Sequence, residues 1–286
     1  MTAAAISETP PEIAAVEKKA SGSSFYMAMK LMPKDQREAM FAIYAFCRAV
    51  DDIADDGIGD AASRTRELHA WRSDIDALYG GSSPQRLKFI EGTIKRFGLK
   101  REDMLAVIDG MQMDVDEEMQ GEADLAKVDL YCDRVASAVG RLSVKVFGME
   151  EAPGVALAHH LGRALQLTNI LRDLDEDASL GRLYLPSEYL ASAGITSHNP
   201  REVMADPRID TACRAVAKLA HQHYAEADKI MRARPKGHLR APRLMGSVYS
   251  RILTKMEVVG WAPPRERVKL GKGTLLMVLL RDGLAA

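Results

Sequence analysis

"QLTNILRDLDED", residues 166–177, sets a Gln, an Asn, an Arg and four acids into twelve positions of an otherwise apolar helical pattern. Just upstream, Val155, Ala158, Leu161, Leu165 and Thr168 recur at helical spacing. On the same wheel Gly162, Gln166, Asn169, Asp173 and Asp177 are spaced by four, three, four and four, with Leu161, Leu165 and Leu171 lying off that line. A solvated face would mix Lys, Glu and Arg over its whole width. One narrow polar line ending in acids predicts instead a helix that lines an internal polar cavity.

A second acidic cluster closes "KDQREAMFAIYAFCRAVDDIADD", residues 34–56, where Met40, Ile43, Tyr44, Cys47 and Val50 mark the apolar face. Asp51 and Asp55 stand i, i+4, and Asp52 and Asp56 stand likewise beside them. Like charges at that spacing repel, and acids near a helix C-terminus oppose its dipole. Arg48, one turn earlier, offsets only part of this, so further positive charge is expected there. The bland alternative is a solvated helix end running into Gly57 and Gly59.

Composition narrows the classes. The 286 residues carry 39 Lys plus Arg against 40 Asp plus Glu, which gives no reason to expect a nucleic-acid partner or strong attraction to an anionic surface. Cys47, Cys132 and Cys213 lie far apart without a CxxC pair, which argues against a disulfide framework or a thiolate zinc site and fits a reducing cytoplasm. The start, "MTAAAISETPPEIAAVEKKA", carries Glu8, Glu12 and Glu17 and reads as a loose leader over residues 1–20, neither signal nor transit peptide. "LLMVLL", 275–280, is far short of the ~20 apolar residues of a membrane span.

Turn signals such as "YGGSSP" at 79–84, "FGMEEAPG" at 147–154 and "GWAPP" at 260–264 separate about eight or more helical blocks, strand-like alternation is scarce, and no linker divides the chain. The expectation is one all-α domain over residues 21–286.

Two i, i+4 aspartate pairs on facing helices can bracket divalent cations. A hard oxygen donor set without His or Cys suits Mg²⁺, with Mn²⁺ as a substitute. Mg²⁺ keeps waters and is typically shared with phosphate oxygens, so such a two-sided site implies a diphosphate between the helices. A di-iron bundle would need Glu-x-x-His, which is absent from the sequence.

"DDIAD" at 51–55 and "QLTNILRDLDED", about 120 residues apart, resemble the two aspartate-rich motifs of the squalene and phytoene synthase family. "GSSFYMAMKLMP" at 22–33, "YCDRVASAVG" at 131–140 and "GRLYLP" at 181–186 are similar to further family signatures in the same order, and "SVYSRIL" at 247–253 is a weaker match. The resemblance implies an all-α isoprenoid synthase fold, with helices around a central active-site cavity and head-to-head condensation of two prenyl diphosphates. It carries metal binding to Asp51, Asp55, Asn169, Asp173 and Asp177, and places Arg48, Gln166, Asn169, Arg172, Phe25, Tyr44 and Tyr249 against substrate. Tyr131, at the head of the third motif, would sit near the leaving diphosphate and, with that diphosphate, is a candidate proton acceptor. Ser137 stands where the family often has Gly, which puts close backbone approach there in question.

Residues 22–56 look most similar to the bacterial branch that turns farnesyl diphosphate into presqualene diphosphate, for which NADPH is not expected. Phytoene, dehydrosqualene or squalene formation is the alternative inside the family. A chain-elongating prenyltransferase would carry a second DDxxD, which "DLDED" lacks, and a helical scaffold would need no cavity. The implied partners are farnesyl diphosphate, a membrane surface touched peripherally during product release, and downstream squalene-pathway enzymes.

Three further features carry readings of their own. His159 and His160 point to different sides of one helix, and His221 and His223 diverge, so no i, i+4 metal pair exists and ordinary core or surface histidines are expected. Asp114 in "DVDEEM" reads equally as an extra ligand or an exposed acid. Arg232, Arg234, Lys236, Arg240, Arg243 and Arg251 form either a solvated basic face or a clamp for diphosphate or anionic lipid.

Overall fold

The computed structural model describes residues 29, 32–55, 59–120 and 123–282. The expected leader 1–20, Phe25 and Asp56 lie outside them. Thirteen α-helices occur among the described residues: α1 Lys34–Asp55, α2 Ala61–Tyr79, α3 Lys88–Phe97, α4 Arg101–Val115, α5 Leu125–Cys132, α6 Ala138–Val146, α7 Glu151–Arg172, α8 Leu174–Ser179, α9 Ser187–Ser192, α10 Pro200–Ala205, α11 Ile209–Arg232, α12 Arg240–Val259 and α13 Lys272–Asp282. No helix among them is long and apolar enough to cross a membrane.

Local chemistry explains many of the boundaries. Asp60 caps α2 by accepting from the Ser63 amide at 2.9 Å, and Asp124 caps α5 through the Lys127 amide at 2.7 Å. Asn199 caps α10 ahead of Pro200, the residue best suited to a first helical position. One apolar core runs from Met29 to Val278 and includes Phe46, Ile75, Ile108, Leu142, Leu171, Leu253 and Trp261. α7 is its axis, packed against α11, α6 and α12.

Between α5 and α6 the chain does not break but widens into a π-helical turn, Asp133–Ser137. Two glycines make room for it. A Cβ on Gly162 of α7 would lie 2.7 Å from the Ser137 Cα, and one on Gly110 of α4 would lie 2.5 Å from a Val135 methyl. The close approach questioned at Ser137 therefore exists, with the missing side chain on the opposite helix. Gly162 faces this packing, not the polar line to which its spacing assigned it. Around the turn the buried Arg163 guanidinium pairs with Asp129 at 2.7 Å and Asp133 at 3.1 Å, so the charge it brings inside is compensated.

The histidine expectation needs correction. α7 and α11 bring His160 and His223 to 3.0 Å, Nδ1 to Nδ1, with His159 beside them. Pairing arises between helices, which a search along one helix does not see.

Candidate active site

α1 ends in its acids, and the structure supplies the expected compensation. Arg48 pairs with Asp51 at 2.5 Å and also with Asp52. Two distant arginines cap the helix: Arg64 and Arg182 each donate to the Ala54 carbonyl at 3.1 Å, placing cations where the dipole is negative. Arg182 also pairs with Asp55 at 2.6 Å.

The 181–186 loop is positioned by an isolated bridge between Gln120 and Leu183, with the Leu183 amide donating to the Met119 carbonyl at 2.7 Å. Extended backbone alternates its side chains, so Leu183 enters the core while Arg182 and Tyr184 turn together toward Asp114. Asp114 is buried, accepting from the Tyr184 hydroxyl at 2.7 Å and the Tyr131 hydroxyl at 2.9 Å, with Arg182 at 4.0 Å. The two tyrosine rings stack with centroids 4.8 Å apart. Burial raises the Asp114 pKa, opposed by Arg182 and the two hydroxyls, and burial and Asp114 hold both phenols far above their usual range.

The second acidic stretch differs from the single continuous helix expected. α7 ends at Arg172, Asp173 breaks the helical backbone with φ −106° and ψ 16°, and Asp177 sits on the short α8. The Asp177 amide still donates to the Asp173 carbonyl at 2.9 Å, which keeps the two side chains in register across the break. Arg172 grips Asp173 with two nitrogens, at 2.8 and 2.5 Å, and Arg267 adds a third contact at 2.7 Å. Their charge holds Asp173 below the usual carboxylate range although burial pushes it up. Arg172 thus orients a carboxylate. Its guanidinium also lies 5.9 Å from the Tyr249 ring.

Asp177 is the opposite case. Burial and the charge of Asp173 raise it to about 8, against an opposing pull from Arg182, and no described side chain hydrogen-bonds to its carboxylate. Asp51 is raised to about 6, by burial and then Asp55. Asp114 contributes to the field at both Asp51 and Asp177, and Arg182 to that at Asp177 and Asp114. The two acidic ends therefore share one electrostatic neighbourhood, with Arg182 and Asp114 between them.

Of the remaining residues singled out in the sequence, Asn169 donates to Gln166 at 3.5 Å while its buried Oδ1 has no partner. Tyr44 is half-buried within the field of Arg48, Asp51 and Tyr249. Arg182, Tyr184, Arg265 and Arg267 were missed, although "GRLYLP" contained the first two. Trp261 explains the others: its indole donates to the Leu171 carbonyl at 3.0 Å and its amide to Asp210 at 2.8 Å, fastening the segment after α12 to the end of α7. From there Arg265 reaches Asp175 at 2.6 Å and Arg267 reaches Asp173, beside a cavity of about 210 Å³. Within the 232–251 stretch, Arg232 pairs with Asp228, Lys236 with Glu150, and Arg243 bonds the Met231 carbonyl, so these are not the cations at the acidic site.

The donor set suits a hard divalent cation: carboxylates from α1, the α7–α8 break and α8, plus the unpartnered Asn169 oxygen, with no sulfur or imidazole among them.

Comparison with known proteins places the chain in a family. The squalene/phytoene synthase family model matches residues 18–274. A presqualene diphosphate synthase of Rhodopseudomonas palustris is 54% identical over 271 residues, covering 95% of this chain and 96% of the relative. One from Zymomonas mobilis is 53% identical over 277 residues, covering 97% and 94%. Among solved structures, a dehydrosqualene synthase in complex with ligand superposes with a TM-score of 0.81 at 24% identity over 95% of both chains, which shows a shared fold. With the family model matching residues 18–274 and relatives more than half identical over nearly the whole length, the chain belongs to the squalene/phytoene synthase family.

Proposed function

We propose that this chain joins two farnesyl diphosphates head to head, releasing one diphosphate and forming presqualene diphosphate. The observation that carries the reading is the Arg182 guanidinium joining Asp55 of the first acidic end to buried Asp114, within the field of Asp177 of the second, in a chain more than half identical to two presqualene diphosphate synthases.

Asp51, Asp55, Asn169, Asp173 and Asp177 are the residues that would hold Mg²⁺. When bound, the ion supplies Lewis-acid neutralisation of charge developing on the departing diphosphate. The protein's own part is preorganisation. Arg48, Arg172 and Arg267 fix the carboxylates, and Arg182 ties the first acidic end to Asp114 before substrate arrives.

The C1–O bond of the donor breaks, its C1 bonds to the acceptor's double bond, and ring closure expels a proton. The acceptor keeps its own diphosphate. A phenol held far above its usual pKa and already donating to Asp114 is a poor proton acceptor, so Tyr131 serves better to orient and neutralise. That leaves the released diphosphate as the base. Tyr44 and Tyr249 border the same region and would contact substrate.

Incubation of the purified protein with farnesyl diphosphate and Mg²⁺, with and without NADPH, followed by product identification, tests the proposal. Presqualene diphosphate in both samples supports it. Squalene appearing with NADPH, phytoene from geranylgeranyl diphosphate, or turnover that survives removal of divalent metal would overturn it.

A further inference from the structure

Nearer the N-terminal end of α7, away from the acids, three imidazoles meet where α7 packs on α11. His159 and His160 of α7 and His223 of α11 each offer one ring nitrogen, and these nitrogens all lie within 4.8 Å of one another. Besides the 3.0 Å contact between His160 and His223, the ring centroids of His159 lie 4.7 Å from His160 and 5.9 Å from His223. All three residues are half-buried, so the cluster is partly desolvated yet reachable from solvent. Three sequence positions, two of them adjacent on α7 and one on α11, thus bring their ring nitrogens to one place.

The geometry points to a binding site for one late first-row divalent transition metal, zinc being the type case, held by His159, His160 and His223. Imidazole nitrogens bind zinc at ~2.0–2.1 Å, which sets them ~3.3 Å apart on a tetrahedral ion. His160 and His223 are already near that separation, and closing the third ligand from within 4.8 Å takes up to about 1.5 Å of ring movement, within reach of side-chain rotation. Nitrogen donors also discriminate. Neutral imidazole suits Zn²⁺, Co²⁺, Ni²⁺ or Cu²⁺, whereas the oxygen-only acidic site suits Mg²⁺, so the two sites sort the two classes of ion.

The surroundings favour the neutral rings that a metal needs. Burial first, and then the Arg163 charge and neighbouring rings, lower the pKa of His159 and His223, the latter to about 4, and burial lowers His160 despite Glu226 nearby. Arg163 itself is turned into Asp129 and Asp133, which leaves the ring nitrogens facing one another. A bound ion would clip α7 to α11 about two turns ahead of Gln166 and nearly four ahead of Asp173, and so would stabilise the helix that leads into the second acidic stretch.

The test uses full-length protein stripped with a chelator and returned to excess Mg²⁺, which fills the carboxylates. Zn²⁺ is then titrated by calorimetry, and Co²⁺ by visible absorption. One equivalent of tight Zn²⁺ binding with a higher unfolding temperature is expected. His160→Gln and His223→Gln should each weaken that binding roughly tenfold or more, while Asp51→Asn leaves it unchanged. Binding that persists in both histidine variants, or disappears in Asp51→Asn, would overturn the assignment. Should the histidine variants fail to fold, pulsed EPR on Cu²⁺-loaded wild type decides: modulation from remote imidazole nitrogens supports the site, and an oxygen-only coordination sphere refutes it.

Discussion

The Arg182 guanidinium donates to Asp55 at 2.6 Å across 127 residues of sequence and, through a second nitrogen, to the Ala54 carbonyl at 3.1 Å. One side chain thus caps α1, neutralises its last acid and stands 4.0 Å from buried Asp114. Replacing Arg182 with Gln removes the charge but keeps a donor. Asp55 and Asp114 then lose the cation between them, although Asp114 keeps its two tyrosine hydroxyls, at a cost of about 1–3 kcal/mol, between the exposed and the buried case because the Asp55 side chain is 35% exposed. Chemical denaturation checks the stability. Turnover of farnesyl diphosphate should fall by ~10²-fold or more, the scale for losing one preorganised electrostatic group, with Arg182→Lys intermediate.

Two glycines should respond to the same substitution with opposite signs. In Gly162→Ala the new methyl carbon meets the Ser137 backbone at 2.7 Å, and backbone cannot swing aside. Overpacking of this kind costs about 1–3 kcal/mol. Gly92, inside α3, has open space around the same position, so Gly92→Ala should stabilise by about 0.5–1 kcal/mol through helix propensity. Unfolding midpoints of the two variants against the parent check both, and a stabilised Gly162→Ala would contradict the close approach described.

The acidic helix ends were legible in sequence because their signal is local: four acids closing an apolar periodic stretch are poor packing residues, and in the fold Asp51 and Asp177 both lie in the field of buried Asp114. Arg182 was not legible in that way. It lies in a loop, and its meaning comes from Asp55 and Asp114, which are remote in the chain. Arg267 is similar, placed by a tryptophan anchored to the Leu171 carbonyl. The helix break at Asp173 escaped notice because Asp177 retains the spacing of four that a continuous helix would give. Gly162 was misassigned for the complementary reason: periodicity gives a face, but the neighbour on that face is set by tertiary packing.

Tyr131 and Tyr184 donate to different oxygens of Asp114, at 2.9 and 2.7 Å, and both phenols are held far above their usual pKa. If Tyr131 positions Asp114 and does not carry a proton, Tyr131→Phe and Tyr184→Phe should lower kcat by similar factors, within roughly tenfold of each other. A general base would separate them, since its loss alone typically costs 10²–10⁴-fold. Each variant leaves one oxygen of a buried carboxylate without its donor, so each should lose about 1–3 kcal/mol of stability as well. Steady-state kinetics beside thermal unfolding distinguish the two cases.

The histidine cluster sets a pH dependence for the metal-free protein. Burial, then His160 and Arg163, lower the His223 pKa to about 4, from an ordinary value of about 6.5 in the unfolded chain. Below pH ~6.5 the unfolded state takes up a proton that the folded state refuses until the pH approaches 4, so stability rises with pH across that window and is lost on acidification. His159 and His160 shift in the same direction and add to the effect. The denaturation midpoint of the parent should therefore fall between pH 7 and pH 5, and His223→Gln should fall less over the same interval. Equal slopes in the two proteins would mean that His223 titrates in the folded state as it does in water, and would overturn the lowering assigned to its burial.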